Sequence, residues 1–204
     1  SALINFLLGV HKMPTSWTPT TSIPVYIKHI KDRPSYMKED VWVFKRGKNA
    51  KNGEWDDRRL DDEKYCRQWK LSSGNTQILD EYGTRQGTHY EDNSAGAAVI
   101  FVDSPILIDC DFIDLPGYGT GDRAEDDSMT LDAKNKADIL VYLSLANGFM
   151  RQEDIIYLKE AIKNLSTVES KENPLSNLFI VASQAHTVDC GNMESLTNIL
   201  DNGC

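Results

Sequence analysis

Two apolar runs that flank an amphipathic segment constrain this fold more than any other feature of the sequence. The runs are residues 139–145 (Ile-Leu-Val-Tyr-Leu-Ser-Leu) and residues 178–182 (Leu-Phe-Ile-Val-Ala), and residues 151–165 between them have apolar side chains at helical spacing. Strand, helix and strand in this order predict a right-handed βαβ unit whose strands are parallel and buried on both faces. We therefore expect an α/β protein.

The first half of the chain predicts a helix, two strands and a polar connecting region. Residues 2–8 are amphipathic at helical spacing, residues 23–30 alternate as a strand does, and residues 41–44 form a second short strand signal. Residues 60–82 have room for one or two helices. We recognise no functional motif in residues 31–96 and expect them to form a helical insertion within a single domain.

Composition excludes several classes of protein. The chain has 204 residues, of which 40% are hydrophobic and 26% charged, as in an ordinary globular domain. Its net charge of −9 argues against a general nucleic-acid binder, which is usually basic. Its four cysteines are widely spaced and do not match a zinc-ligand pattern.

Residues 106–113 alternate loosely as a strand does, and an aspartate directly after them is followed three residues later by a glycine. Asp114 and Gly117 belong to the string Phe-Ile-Asp-Leu-Pro-Gly-Tyr-Gly at residues 112–119. In a P-loop nucleotidase such an aspartate holds Mg²⁺ through water, and the glycine amide approaches the γ-phosphate. A Pro-Gly turn with a capping aspartate is the structural alternative. The preceding apolar strand favours a nucleotide site, because ligands bind at the carboxyl ends of strands in such sheets.

A loop rich in proline and threonine precedes the first predicted strand and ends in Thr20 and Thr21. A threonine at this place can bind Mg²⁺ through its hydroxyl and hold the attacking water through its backbone carbonyl, if the loop closes on the γ-phosphate. An ordinary surface loop is the alternative. Together with Asp114, the loop indicates the two switch segments of a GTPase.

The phosphate-binding loop GxxxxGK[ST] is not found in the sequence. Ser1 stands where the last residue of that loop would be, directly before the first helix. We interpret Ser1 as the magnesium-binding serine of a truncated loop and the domain as incomplete at both ends. The missing lysine and loop amides would cradle the phosphates, so we expect the 204-residue chain alone to be inactive.

These segments together resemble the GTPase domain of bacterial dynamin-like proteins. The resemblance rests on residues 3–9, Met13-Pro14, residues 19–21 and residues 114–117, and it extends over residues 1–30 and 97–186 of the chain. It implies a three-layer domain of P-loop NTPase type with a mostly parallel central sheet.

The resemblance also implies a function and a set of site residues. The function is Mg²⁺-dependent binding and hydrolysis of GTP in a cytoplasmic mechanochemical protein that attaches peripherally to membranes. The protein would form homo-oligomers through its GTPase domains and contact lipid through segments outside this chain, with no nucleic-acid partner. Thr21 would be the catalytic switch threonine, with Thr20 as the alternative register. The metal ligands would be Ser1, Thr21 and Asp114, and the nucleotide would contact Ser1, Thr20, Asp114, Gly117, Ser183, Gln184 and His186.

The sequence departs from the family at the segment that recognises guanine. The family carries T/N-K-x-D after the next-to-last core strand, whereas this chain has Gln184 in place of the lysine and His186 in place of the aspartate. A neutral imidazole accepts one hydrogen bond and cannot form the bidentate pair that a carboxylate makes with guanine. Asp189 lies nearby at the wrong spacing. An ATP-preferring relative and a nucleotide-binding or pseudo-GTPase scaffold without hydrolysis therefore remain alternatives to a GTPase.

Overall fold

The computed structural model describes residues 2–15, 21–47, 55–116, 137–165 and 175–185, together with residues 192, 194, 197, 198 and 201. The chain divides into two compact units, Ser1–Ala133 and Lys134–Cys204. Each unit has its own sheet, with five strands in the first and two in the second among the described residues.

Among its described residues, the first unit has three short α-helices and five strands. The helices are α1 (Ala2–Leu8), α2 (Glu63–Trp69) and α3 (Ile78–Tyr82). The strands are β1 (Val25–His29), β2 (Val41–Lys45), β3 (Lys70–Gly74), β4 (Ala95–Val102) and β5 (Phe112–Asp114). They lie in the order β3-β2-β4-β1-β5, in which β1 and β4 are parallel and the other neighbours are antiparallel.

Side chains that alternate along the central strands cover both faces of this sheet. Val25 and Ile27 of β1 belong to a core cluster that also holds Leu8 of α1 and Leu79 of α3. Tyr26 of the same strand belongs to a second cluster, with Trp42, Phe44, Trp55, Leu60 and Cys66. Successive strand residues point to opposite faces, so one strand supplies both clusters. The first unit therefore has three layers.

The second unit is the βαβ arrangement expected from the apolar runs. Its described elements include β6 (Leu140–Leu145), α4 (Gln152–Asn164) and β7 (Leu178–Ser183), and the two strands are parallel. Tyr157, Leu158 and Ala161 of α4 pack in one cluster with Leu140, against which Leu178 also packs.

Burial of both faces of these strands was predicted from their apolar sequence, and for the described residues this is wrong. Val141, Leu143 and Leu145 on the second face of β6 are 49%, 46% and 49% exposed. The physical reason is that α4 covers only one face, so alternate side chains of β6 lie in solvent within the described part of the unit.

The α/β class is confirmed, but two details of the predicted architecture are corrected. The five-stranded sheet is mixed rather than mostly parallel, because β2 and β3 pair antiparallel and β5 runs antiparallel to β1. Residues 31–96 are not simply helical, since they contribute β2 and β3 to the sheet as well as α2 and α3. That these residues are an insertion stays a prediction.

Candidate functional site

Strands β1 and β5 bring Thr21 and Asp114 together. Asp114 is the last residue of β5, and its register partner is Val25, the first residue of β1. Because the strands are antiparallel, the end of β5 lies beside the segment that leads into β1. Thr21 is in that segment, and its Oγ1 donates a hydrogen bond to Asp114 Oδ2 at 3.3 Å, across 93 residues of sequence.

The two oxygens suit a magnesium ion in kind. A hydroxyl and a carboxylate are hard oxygen ligands of the type that Mg²⁺ prefers, and the carboxylate could act on the metal through a bound water. Asp114 is only 9% exposed, so its carboxylate is largely shielded from solvent. The described residues contain no group of three or more His, Cys, Asp or Glu that resembles a metal centre. A site with one carboxylate is typical of Mg²⁺ bound together with phosphates and water.

Buried Asn5 fixes the path by which the chain leaves α1. Its Oδ1 accepts hydrogen bonds from the N–H groups of Lys12 and Met13 at 2.9 and 2.8 Å, and its Nδ2 donates to the Met13 carbonyl at 2.8 Å. Ser104 Oγ donates to the carbonyl of Leu8 at 2.9 Å and so ties the end of α1 to the core. Sequence reasoning missed Asn5. The available signal was an asparagine on the buried side of an apolar helix, since Leu8 lies three residues further on.

The segment after α3 pairs with the backbone at Thr21. Thr21 and Thr84 form an isolated antiparallel bridge, and the Ser22 N–H donates to the Gly83 carbonyl at 2.9 Å. Thr84 is 5% exposed, and its Oγ1 donates to the carbonyl of Asp80 at 2.7 Å. Sequence reasoning gave neither Gly83 nor Thr84 a role, because backbone pairing between distant segments leaves no side-chain pattern.

The structure places two of the residues expected to contact the base at the end of β7. Ser183 Oγ donates to the carbonyl of Ser144 at 3.1 Å, so this hydroxyl is used within the two-stranded sheet. Gln184 follows in a turn with a positive φ of 55°. The remaining predicted site residues lie outside the described part of the chain: Ser1, Thr20, Gly117 and His186.

A second polar cluster lies where α4 begins. Asp154 accepts hydrogen bonds from Tyr142 Oη at 2.6 Å, from Ser144 Oγ at 2.8 Å and from the Arg151 N–H at 3.0 Å. Burial alone would raise the pKa of Asp154, but these hydrogen bonds to the ionised form outweigh it and lower the pKa below its usual value. Burial, followed by the hydrogen bond to Asp154, raises the pKa of Tyr142 far above its usual range. The cluster caps α4 and joins it to β6.

A three-layer α/β unit in which an aspartate at the end of one strand faces a threonine in the segment before another strand is typical of the P-loop NTPase class. The sequence model of the Dynamin family matches residues 1–183. The chain therefore belongs to the dynamin family.

Two solved structures are among those that share the fold. One is described as an oligomerised bacterial dynamin pair that provides a mechanism for the long-range sensing and tethering of membranes; the TM-score is 0.62 at 14% identity, covering 100% of this chain and 28% of that one. The other carries the same description, with a TM-score of 0.54 at 15% identity and coverage of 99% and 32%. The chain thus spans less than a third of the length of these relatives. No match is found among proteins of curated function. In the described part of the chain, no helix is long and apolar enough to cross a membrane.

Proposed function

We propose that the full-length protein binds GTP together with Mg²⁺ and hydrolyses the γ-phosphate. The observation that carries this proposal is the hydrogen bond between Thr21 and Asp114 at the end of β5, in a chain of the dynamin family. Thr21 and Asp114 are the residues that the switch motifs nominate, and they meet although they are distant in sequence. Their contact supports a shared role at one site.

Each residue of the site has a distinct part in this proposal. The hydroxyl of Thr21 and the carboxylate of Asp114 would hold the metal shell, with Ser1 as a further ligand, and the Gly117 amide would contact the γ-phosphate. The Thr21 carbonyl orients the attacking water. When bound, Mg²⁺ neutralises charge that develops on the phosphoryl oxygens. Because Asp114 already orients the Thr21 hydroxyl, less side-chain freedom is lost when the ligand binds.

The wider context of the proposal comes from the structural relatives. These are described as an oligomerised pair that senses and tethers membranes. We extend this to a cytoplasmic protein that associates through its GTPase domains and contacts membrane lipid through segments outside this chain.

Thr21→Ala in the full-length protein tests the proposal. We expect phosphate release to fall to background, because the water and the metal lose their organising group, while the affinity for a fluorescent GTP analogue stays within several-fold of wild type. Thr21→Ser is the matched control, since it keeps the hydroxyl and should retain most of the activity. Wild-type turnover by Thr21→Ala would remove Thr21 from the site and with it the main support for hydrolysis.

A second candidate function follows from the segment after β7. Gln184 and His186 replace the lysine and aspartate that select guanine in the family, so ATP is a competing substrate. One hydrogen bond to a neutral imidazole is worth about 0.5–1.5 kcal/mol, which corresponds to a preference of roughly 2- to 13-fold. We therefore expect side-by-side titrations of the full-length protein to give a small GTP preference, and His186→Asp to increase it. Stronger binding of ATP would favour the ATPase, and tight binding without turnover of either nucleotide would favour a scaffold.

A further inference from the structure

We propose that Gly83 and Thr84, at the end of α3, are positioning residues that hold Thr21 beside Asp114. This inference rests on the proposed function, since it assigns a role in the same site. Neither residue belongs to a nucleotide-binding motif found in the sequence. Their contact with Thr21 nevertheless links residues 31–96, which otherwise have no assigned role, to the candidate site.

The contact is made by backbone groups on both sides. Thr21 and Thr84 face each other in an antiparallel bridge, and the Ser22 N–H donates to the Gly83 carbonyl at 2.9 Å. Ser22 is 3% exposed, so this hydrogen bond is shielded from water. On its other side, Thr21 reaches Asp114 through its hydroxyl. The backbone at Thr21 is therefore held by the segment after α3, and the Thr21 side chain is held by Asp114 of β5.

The segment that holds Thr21 is itself fixed to the core. Leu79 of α3 is 1% exposed and belongs to the same cluster as Val25 at the start of β1. The Gly83 N–H donates to the Leu79 carbonyl at 2.9 Å, and the Gly87 N–H donates to the Thr84 carbonyl at 3.1 Å. A bridge to such a segment restricts Thr21 more than a bridge to a free loop would.

The turn beyond Thr84 adds a second attachment. The ring of His89 stacks on that of Tyr82, with centroids 4.2 Å apart and planes 12° apart. The backbone N–H of His89 also donates to the Glu81 carbonyl at 3.2 Å. These contacts fold the chain after Thr84 back onto α3. Residues 82–89 therefore form a fixed segment, here called the brace, on one side of Thr21.

A substitution at Gly83 is expected to displace the brace. A Cβ added at Gly83 would lie 2.8 Å from the backbone oxygen of Leu79. Because this clash is with a backbone atom, the movement of a flexible side chain cannot relieve it. Gly83 has φ −96°, so alanine is allowed by backbone conformation and acts through this clash alone. Gly74 is the matched control: an added Cβ there would meet Ile78 Cδ1 at 3.7 Å, an ordinary contact.

The experiment compares Gly83→Ala and Gly74→Ala in the full-length protein. It measures kcat and KM for GTP and, without nucleotide, hydrogen exchange of a peptide that contains the Ser22 amide. We expect Gly83→Ala to lower kcat about 10- to 100-fold by misplacing Thr21, with KM within about threefold. Exchange at Ser22 should be faster, while Gly74→Ala should match wild type in every measurement.

A purely structural role for Gly83 would change different quantities. It would speed exchange throughout the first unit or raise KM as much as it lowers kcat, and either result would overturn the positioning role. Wild-type kcat and wild-type exchange at Ser22 in folded Gly83→Ala would overturn it as well. If the wild-type protein binds GTP but hydrolyses none, the proposed function fails separately, and the exchange measurement still decides whether the bridge restrains Thr21.

Thr84→Val serves if Gly83→Ala does not fold. This variant keeps the shape of the side chain and the backbone bridge, and it removes only the hydrogen bond from Thr84 Oγ1 to the Asp80 carbonyl. We expect kcat to fall about 2- to 13-fold, which is the rate change that corresponds to the free energy of one ordinary hydrogen bond. Exchange at Ser22 should also be faster. Unchanged kcat together with unchanged exchange would contradict the proposal.

Discussion

Trp55 is the residue whose truncation should most weaken the second core cluster. It is 1% exposed, and its ring stacks on Phe44 with centroids 3.9 Å apart and planes 7° apart. We expect Trp55→Ala to lower the free energy of unfolding by about 3–5 kcal/mol, because the cavity would lie directly on the sheet. The urea midpoint of unfolding, followed by near-ultraviolet circular dichroism, measures this effect.

Trp55→Phe is the control for that substitution. It keeps an aromatic ring against Phe44 and removes an indole N–H that is buried without a partner among the described residues. Its cost should therefore be well below that of truncation. If the two variants lost the same free energy of unfolding, the aromatic ring stacked on Phe44 would contribute little to stability.

Residue by residue, the candidate site was predictable only where side chains carry the chemistry. Asp114 and Thr21 stand out because a carboxylate after a strand and a threonine in a switch loop are recognisable types. Their contact confirms that the two segments lie together, although the roles of the residues stay a prediction. The pairing of Gly83 and Thr84 with Thr21 was not predictable, because any residue can supply the backbone groups that make it.

Among the elements, α4 makes the clearest prediction about pH. Asp154, in the first turn of α4, has a lowered pKa because hydrogen bonds to the carboxylate outweigh burial. A carboxyl whose pKa is lower in the folded state stabilises the fold above its unfolded pKa of about 3.9, and this contribution disappears as the pH falls through the lower folded value. We therefore expect Asp154→Asn to reduce the protection of α4 amides near pH 7 and to make little difference at strongly acidic pH.

Hydrogen exchange in α4, corrected for the intrinsic rate at each pH, measures the effect. Glu153→Gln is the matched control, because Glu153 lies in the same first turn and is exposed. It should leave the protection of α4 close to wild type. A gap between Asp154→Asn and wild type that widens toward acidic pH would contradict the lowered pKa.

Elements with a strong apolar pattern were predicted well, whereas strand β3 was not predicted. The apolar runs and the helix between them gave β6, α4 and β7 nearly at their observed bounds. Strand β3 has the sequence Lys-Leu-Ser-Ser-Gly, which is polar and has little strand preference. It is extended because its backbone pairs with β2, so tertiary context decides its conformation.

For the whole molecule, the proposed function predicts association that depends on nucleotide. The structural relatives are described as oligomerised, and we propose contact between GTPase domains. We expect the molar mass of the full-length protein, measured by light scattering with a non-hydrolysable GTP analogue and Mg²⁺, to reach at least that of a dimer. A control with ADP and Mg²⁺ should leave the mass at the nucleotide-free value, and a mass unchanged by the GTP analogue would contradict the proposed contact.

The central position of β4 has a consequence for the synthesis of this protein. β1 lies between β4 and the three-residue β5, and β2 also pairs with β4, yet β4 spans Ala95–Val102 and is made later than β1 and β2. At ribosomal rates of about 5–20 residues per second, β1 waits roughly 4 to 15 s for this partner. During that interval β1 has no partner strand, because its other neighbour, β5, is made later still. An unpaired apolar strand promotes aggregation, so we expect the nascent chain to need protection while residues 30–102 are being translated.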